Sequence, residues 1–262
     1  MGREGLIVQQ RLSSLSVVFP AYNEERNVER AVQAASDAMR AHAQAVQIIV
    51  VNDGSRDATG EIIDRLVREV PRFVAVHHPV NLGYGAALRS GFAKATGDYV
   101  FFTDSDLQFD LDEIRLLTSH ISDYDMVVGY RVDRADPWHR RLNAFAWNRL
   151  VRLVLGVKVR DIDCAFKLFR RHVLDRMELR SNGAMISTEF LALAKRLGFT
   201  LYEVPVSHYP RFHGVQSGAN LRVIVKAFRE LFRMHVRLRR IDRESERPAF
   251  DLDEQTLPVK PR

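Results

Sequence analysis

Short, continuously apolar runs alternate with longer stretches of helical periodicity through the first half of the chain. LSVVF (15–19), VQIIVV (46–51), FVAVHH (73–78) and DYVFFT (98–103) are rich in β-branched and aromatic residues, the composition of strands. Between them, apolar positions recur at three- and four-residue spacing over about 25–43, 57–69, 84–95 and 110–120, which predicts helices. Strands that are apolar on both faces must be covered on both faces. The alternation therefore predicts an α/β fold built on a mostly parallel sheet sandwiched by helices.

The second half is less regular. DMVVGYR (125–131), DCAFKLF (163–169) and LYEVPVSHY (201–209) predict three more strands, the last at a sheet edge because Pro205 removes a ladder donor. Helices are predicted over 137–156 and 187–198, and 220–240 has the spacing of an amphipathic helix. No repeat or low-complexity linker divides the pattern, so one domain is expected over 15–241. It is flanked by an N-terminal tail (1–14) and a polar, Pro-containing tail (242–262) expected to be disordered.

Open parallel sheets bind ligands beyond the carboxyl ends of their strands. Polar clusters stand at those ends: PAYNEE after the first strand, NDGSRD after the second, NLGYGA after the third and DSDLQ after the fourth. In the last, Asp104 and Asp106 are spaced to reach one hard cation as the chain leaves its strand, with the Gln108 amide oxygen as a third donor. Mg²⁺ or Mn²⁺ bound there would keep positions open for phosphate oxygens. Asp110, just before the helical pattern, reads instead as a helix cap. PAYNEERN and NDGSRD each follow a strand and open a helix, a geometry that offers backbone N–H groups to an anion. Asp53 could accept from a nucleobase N–H and Tyr22 could stack on its ring, although Asn23, Asp53 and Ser55 are also ordinary turn formers. Gly83 and Gly85 suggest a dinucleotide fingerprint, but Leu88 occupies its third small position.

These four motifs, with DCAFKLFRR, resemble in order and spacing the GT-A fold inverting glycosyltransferases, most closely the dolichyl- or polyprenyl-phosphate mannose synthases. The resemblance implies that Pro20, Ala21, Tyr22, Glu24 and Asp53, with Gly83, hold the donor nucleotide, and that Asp104, Asp106 and Gln108 hold the divalent cation on its diphosphate. It implies that Arg131 and Arg140 grip the lipid phosphate, and that Arg211, with Ser217 nearby, closes on the diphosphate. Ala144 stands where a serine contacting the acceptor would be expected, and Ala165 where glycine is common. The implied reaction moves mannose or another hexose from GDP-mannose or a UDP-sugar to a polyprenyl phosphate. A hydroxyl acceptor is the alternative. A phosphate monoester with a second pKa near 6 is already ionised at neutral pH and needs no strong base. A hydroxyl would need one, for which Asp161, Asp163 and Glu189 are the candidates; Asp161 and Asp163 could equally pair with Arg160 or Lys167.

Charge and composition narrow the partners. With 39 Lys and Arg against 33 Asp and Glu, the net charge is +6, which favours anionic partners without choosing among them. Acids converging on the ligand edge argue against nucleic acid, and the lack of glycine after the first strand argues against a nucleotidyltransferase. A single cysteine, Cys164, leaves no intramolecular disulfide. No export signal and no run of about 18 apolar residues is present, so a cytoplasmic protein that does not span the bilayer is expected. Arg222, Lys226, Arg229, Arg233, Arg237 and Arg240 form one stripe of the 220–240 helix, opposite Ile224, Phe228, Leu231 and Leu238. That stripe, with Trp138, Phe145 and Trp147 of the 137–156 helix, predicts peripheral attachment to the cytoplasmic face of a membrane, and leaves room for a separate membrane-embedded partner subunit.

Overall fold

The computed structural model describes residues 11–132, 138–210 and 228–239, with residues 138–144 described by their backbone alone. Arg211, Ser217, Arg222, Ile224, Lys226, Arg240, residues 1–10 and the C-terminal tail lie outside the described residues, as do the side chains of Trp138, Arg140 and Ala144; the expected N-terminal tail is shorter than 1–14, because 12–14 already belong to the first strand.

The predicted strands form, the first two of them longer than the apolar runs that announced them and the rest slightly shorter. β1 spans Leu12–Ala21, β2 Ala43–Asn52, β3 Phe73–His77, β4 Tyr99–Thr103, β5 Met126–Arg131, β6 Phe166–Arg170 and β7 Leu201–Val206. They make one sheet in the order β3-β2-β1-β4-β6-β5-β7. All pairings are parallel except those of β6, which runs antiparallel to both β4 and β5. Pro205 lies in β7, the edge strand, as its missing donor requires.

Helices α1 (Val28–His42), α2 (Thr59–Glu69), α3 (Tyr84–Phe92), α4 (Ile114–Thr118), α5 (Trp138–Leu155), α6 (His172–Asp175) and α7 (Met185–Arg196) connect the strands, and a further helical stretch covers 228–239. α1 buries Val28, Ala31, Val32, Ala35 and Met39, the helical stripe that lets it lie on the sheet. α3 lies closest to β1, because a Cβ on Gly91 would come 2.3 Å from Val18 Cγ1. The pattern at 110–120 resolves into a single 3₁₀ turn at Leu111–Glu113 running into α4, with the Asp110 carboxylate accepting from Asp112 N at 3.0 Å. Asp110 is thus the cap its position predicted. The short α6 was not predicted from the sequence.

The antiparallel β6 joins two halves of the core through aromatic contacts. Phe101 of β4 meets Phe166 of β6 edge-on, ring centroids 4.8 Å apart, and Phe169 lies 4.9 Å from Phe190 of α7. β6 also brings its N-terminal end, and the residues just before it, to the carboxyl ends of its neighbours. That edge is where the chemistry gathers.

Candidate active site

The turns after β1 and β2 are stitched to each other by short side chains. Asn23, at φ 56°, accepts from Arg56 N through its Oδ1 (2.8 Å), while its own N–H donates to Ser55 Oγ (3.0 Å). Glu24 N donates to Thr59 Oγ1 (2.8 Å), and the buried Glu24 carboxylate accepts from Asn27 Nδ2 (2.7 Å). Ser105 Oγ reaches across to the Pro20 carbonyl (3.0 Å). Asn, Ser, Thr and Asp satisfy turn backbone in this way, so each turn holds the other's shape. Ala21 is buried, whereas Tyr22 stands 42% exposed at the mouth of this edge, where a flat ring could lie against it.

Asp53 sits at the centre. Only 3% exposed, it accepts from His78 Nδ1 (2.7 Å) and Leu82 N (2.9 Å) at Oδ1, and from Gly83 N (2.9 Å) at Oδ2. His78 is fixed in turn by Ser90 Oγ (2.9 Å). The carboxylate therefore pins the turn between β3 and α3. In that turn Gly83 adopts φ 103°, open only to glycine at ordinary cost.

Tyr84, the first residue of α3, places its hydroxyl on Asp104, with Asp106 and Asp163 near enough to act on it electrostatically. Burial, the Asp104 charge and the hydrogen bond together hold the phenol well above its ordinary pKa, so it remains a donor to the carboxylate. Asp106 accepts from Gln108 N (3.2 Å), and Gln108 Nε2 donates to the Tyr209 carbonyl (2.9 Å), fixing that side chain. Leu107 between them has φ 60°, a left-handed conformation costly for leucine. The donors assembled here are all oxygens, the chemistry of a hard divalent cation. Among the described residues, no cluster of three or more His, Cys, Asp and Glu forms a metal cage of its own. Mg²⁺ is commonly held by one or two carboxylates, with substrate phosphates completing its shell, and Asp104 and Asp106 fit that pattern.

On the other side of β4 the charged groups are paired differently. Asp161 accepts from Arg131 Nε (2.6 Å) and Nη2 (2.9 Å), a bidentate pair with side chains 13% and 7% exposed. Burial opposes it, yet the bonds and charge of Asp161 keep the Arg131 guanidinium more firmly protonated than usual. Lys167, fully buried, donates to the carbonyls of Ile162 (3.2 Å) and Cys164, which fastens the turn that carries Asp161 and the exposed Asp163. Burial pushes the Cys164 thiol up to about 12 and leaves it inert. Glu189, only 1% exposed, accepts from Arg180 N (3.0 Å) and Ser181 N (2.7 Å) and pairs with Arg237.

A family model described as glycosyl transferase family 2 matches residues 16–177, more than half of the chain. The chain belongs to glycosyl transferase family 2. Within this family 2 chain, the matched span runs from β1 through α6, so it carries both the Asp53 turn and the Asp104–Asp106 loop.

Among its relatives are the glycosyltransferase AglD of Haloferax volcanii, 38% identical over 207 residues, and an undecaprenyl-phosphate 4-deoxy-4-formamido-L-arabinose transferase of Aeromonas hydrophila, 34% identical over 202. These alignments take in 75% and 76% of this chain but only 33% and 61% of the relatives' lengths. The fold is shared with glucosyl-3-phosphoglycerate synthase of Mycobacterium tuberculosis, solved with Mn²⁺, UDP and glucosyl-3-phosphoglycerate. The TM-score is 0.64 at 21% identity, over 86% of this chain and 80% of that one. The family 2 chain is thus a GT-A α/β fold, as its strand and motif order predicted.

Pro20, Ala21, Tyr22, Glu24, Asp53, Gly83, Asp104, Asp106 and Gln108 all fall along one sheet edge, with Arg131, Asp161 and Asp163 beside them. Two participants went unread in the sequence. Tyr84 sits inside NLGYGA, where the two glycines carry the visible pattern, and His78 closes FVAVHH, where it passes as the end of a strand. A polar side chain immediately after an apolar strand was the available signal.

Proposed function

We propose that this chain is an inverting sugar transferase that moves a hexose from a nucleotide sugar to a polyprenyl phosphate with the help of Mg²⁺ or Mn²⁺. The observation that carries the proposal is the convergence of Asp104, Asp106 and the Tyr84 hydroxyl at the end of β4, beside the interlocked turns of β1 and β2. The name of the Aeromonas relative, an undecaprenyl-phosphate transferase, supports the acceptor class.

In this reading Tyr22 covers the base, and the turns holding Pro20, Ala21, Glu24, Asp53 and Gly83 cradle the nucleoside. Asp104 and Asp106, with Gln108, hold the cation, and Tyr84 keeps Asp104 turned toward it. When bound, the cation neutralises charge developing on the departing diphosphate. Arg211 and Ser217 are proposed to close over that group, and Arg131 and Arg140 to meet the acceptor phosphate. Arg131 already has two donors on Asp161, which orients its guanidinium for a further contact. The engagement of Asp161 by Arg131, and of Glu189 by two amides and Arg237, supports an acceptor that needs no deprotonation. Exposed Asp163, within electrostatic reach of Tyr84, is the carboxylate placed to act as base for a hydroxyl acceptor.

The proposed site of action is the membrane surface. Among the described residues, no helix is long and apolar enough to cross a bilayer. The 228–239 helix buries Leu231, Met234 and Leu238, and shows Phe228, Phe232 and Val236 at 51%, 67% and 40% exposure. Arg229 and Arg233 lie beside that ridge, and α5 adds exposed Phe145 and Leu153 through the Trp147–Phe228 contact. Arg237 turns inward to Glu189, so the basic stripe expected from spacing loses that member, and Phe228 faces out rather than in. Apolar side chains flanked by arginine suit an anionic bilayer.

The test combines the pure protein with a panel of nucleotide sugars and undecaprenyl phosphate, with and without Mn²⁺, followed by the mass of the product. A glycosyl polyprenyl phosphate formed only with metal is the expected result. A product on a hydroxyl acceptor alone would overturn the acceptor, and no binding of any nucleoside diphosphate by calorimetry would overturn the class.

A further inference from the structure

Glu189 lies on α7 beneath the site, where its buried oxygens serve two separate elements. One is the segment just before α7: Arg180 N and Ser181 N donate to the carboxylate, the latter at 2.7 Å. The other is the 228–239 helix, whose Arg237 Nη2 closes an ion pair with the same group, the two side chains 23% and 1% exposed. A buried carboxylate needs such a full set of donors, and removing one disturbs the rest.

The segment so held leads straight to the donor edge. Gly85 N (2.8 Å) and Ala86 N (3.2 Å) donate to the Asn182 carbonyl, and Arg89 Nη2 donates to Asn182 Oδ1 (2.5 Å). The approach leaves no slack: a Cβ on Gly85 would fall 2.4 Å from the Ser181 carbonyl oxygen, and one on Gly83 2.5 Å from that of Asn182. On the far side of this contact, Gly83 N donates to Asp53 and the Tyr84 hydroxyl bonds Asp104. Arg237 therefore stands at one end of a path of hydrogen bonds and short backbone links that finishes on the groups proposed to hold nucleotide and cation.

We infer that Glu189 is a positioning residue, and that its pair with Arg237 clasps the 228–239 helix to the segment that sets the nucleotide-binding turn. Seating of that helix is then read out as donor affinity. The same helix carries the exposed Phe228, Phe232 and Val236, so contact of its outer face with a bilayer bears on the donor site through its inner face. This inference rests on the transferase reading above.

The experiment measures donor KM, kcat and calorimetric affinity for a nucleoside diphosphate with Mn²⁺ in the full chain and in Glu189→Gln, Arg237→Met and the double variant. Each single change should weaken donor affinity about tenfold, with kcat falling less, and the double variant should be no worse than either, as coupled residues behave. Arg237→Lys, which keeps the charge, should recover most of the affinity. Two results overturn the inference: Glu189→Gln that loses kcat and a limb of the pH profile at unchanged donor KM, the mark of a general base, or Arg237→Met with wild-type affinity. Glu189→Gln is isosteric and carries the test if Arg237→Met does not fold. If the unmodified chain binds no nucleoside diphosphate, the transferase reading fails by itself. The clasp is then judged by hydrogen exchange at Gly85 and Ala86, which must quicken in Arg237→Met and would refute the clasp if unchanged.

Discussion

The two sides of β4 are held together by different means. On the side proposed to bind the donor, short polar side chains bond backbone across turns: Asn23 to Arg56 N, Thr59 to Glu24 N, Asp53 to Leu82 N and Gly83 N. On the proposed acceptor side a long cation reaches a buried carboxylate, Arg131 to Asp161, and the same device, Arg237 to Glu189, fastens the 228–239 helix with its exposed apolar side chains. Short side chains lose little entropy when fixed, whereas a long cation must be held against its rotamer freedom. The edge proposed for the donor is thus pre-formed, and the rest depends on a few strong contacts, each of which matters singly.

The largest expected effect tests the donor side. Asp104→Ala should lower metal-dependent turnover by about 10³-fold, the scale of losing a group that stabilises transition-state charge. It should leave the chain folded, with the thermal midpoint lowered by no more than the loss of one hydrogen bond, because the Tyr84 hydroxyl loses its acceptor. Steady-state kinetics beside a thermal melt reads both, and full metal-dependent activity would break the assignment. Next, Arg131→Met should cost about 3–5 kcal/mol of folding free energy by urea denaturation, because it strands Asp161 in the interior. Arg131→Met with Asp161→Leu should recover most of that loss in stability while activity stays low, which separates holding the fold from serving the acceptor.

Smaller effects belong to the periphery. Phe232→Ser should weaken binding to anionic vesicles about tenfold, the value of one partly buried aromatic ring, with nucleotide affinity in free solution unchanged; equal binding would show that another face meets the lipid. The smallest is a pH effect at Asp125. Burial alone would raise its pKa, but bonds from Thr200 and His172 outweigh it and hold the carboxyl below its ordinary 3.8. Its contribution is therefore fully present above the ordinary carboxylate range and is lost as pH falls through the depressed folded value. Asp125→Asn should cost about 1 kcal/mol at neutral pH and flatten the acid limb of stability below about pH 4.

The strands were legible because burial on both faces leaves an unbroken apolar run, as in IIVV (48–51) of β2. Their order was not. Nothing local in DCAFKLF distinguishes an antiparallel strand inserted between β4 and β5 from a parallel one at an edge, because pairing is decided by distant partners. The same holds for the site. Asp104, Asp106 and Asp53 announce themselves as acids at strand ends, but the bond from Tyr84 to Asp104 spans 20 residues, and that from Arg237 to Glu189 spans 48. Spacing identified a basic stripe on the last helix, yet only packing decides that Arg237 leaves it for a buried carboxylate.

The place of β6 in the sheet has a further consequence. Residues 12–103 build β3, β2, β1 and β4, and residues 126–206 build β6, β5 and β7, so the seam between β4 and β6 in space is also a single cut in the chain. Under the proposed function, most of the residues for the nucleotide and cation and those for the acceptor phosphate lie on consecutive stretches of the chain, meeting at a five-residue ladder from Tyr99–Arg170 to Thr103–Phe166. Recombination between relatives near residues 119–125 would exchange one stretch and keep the other, with the contact of Asn182 on Gly85 and Ala86 among those that both parents must match.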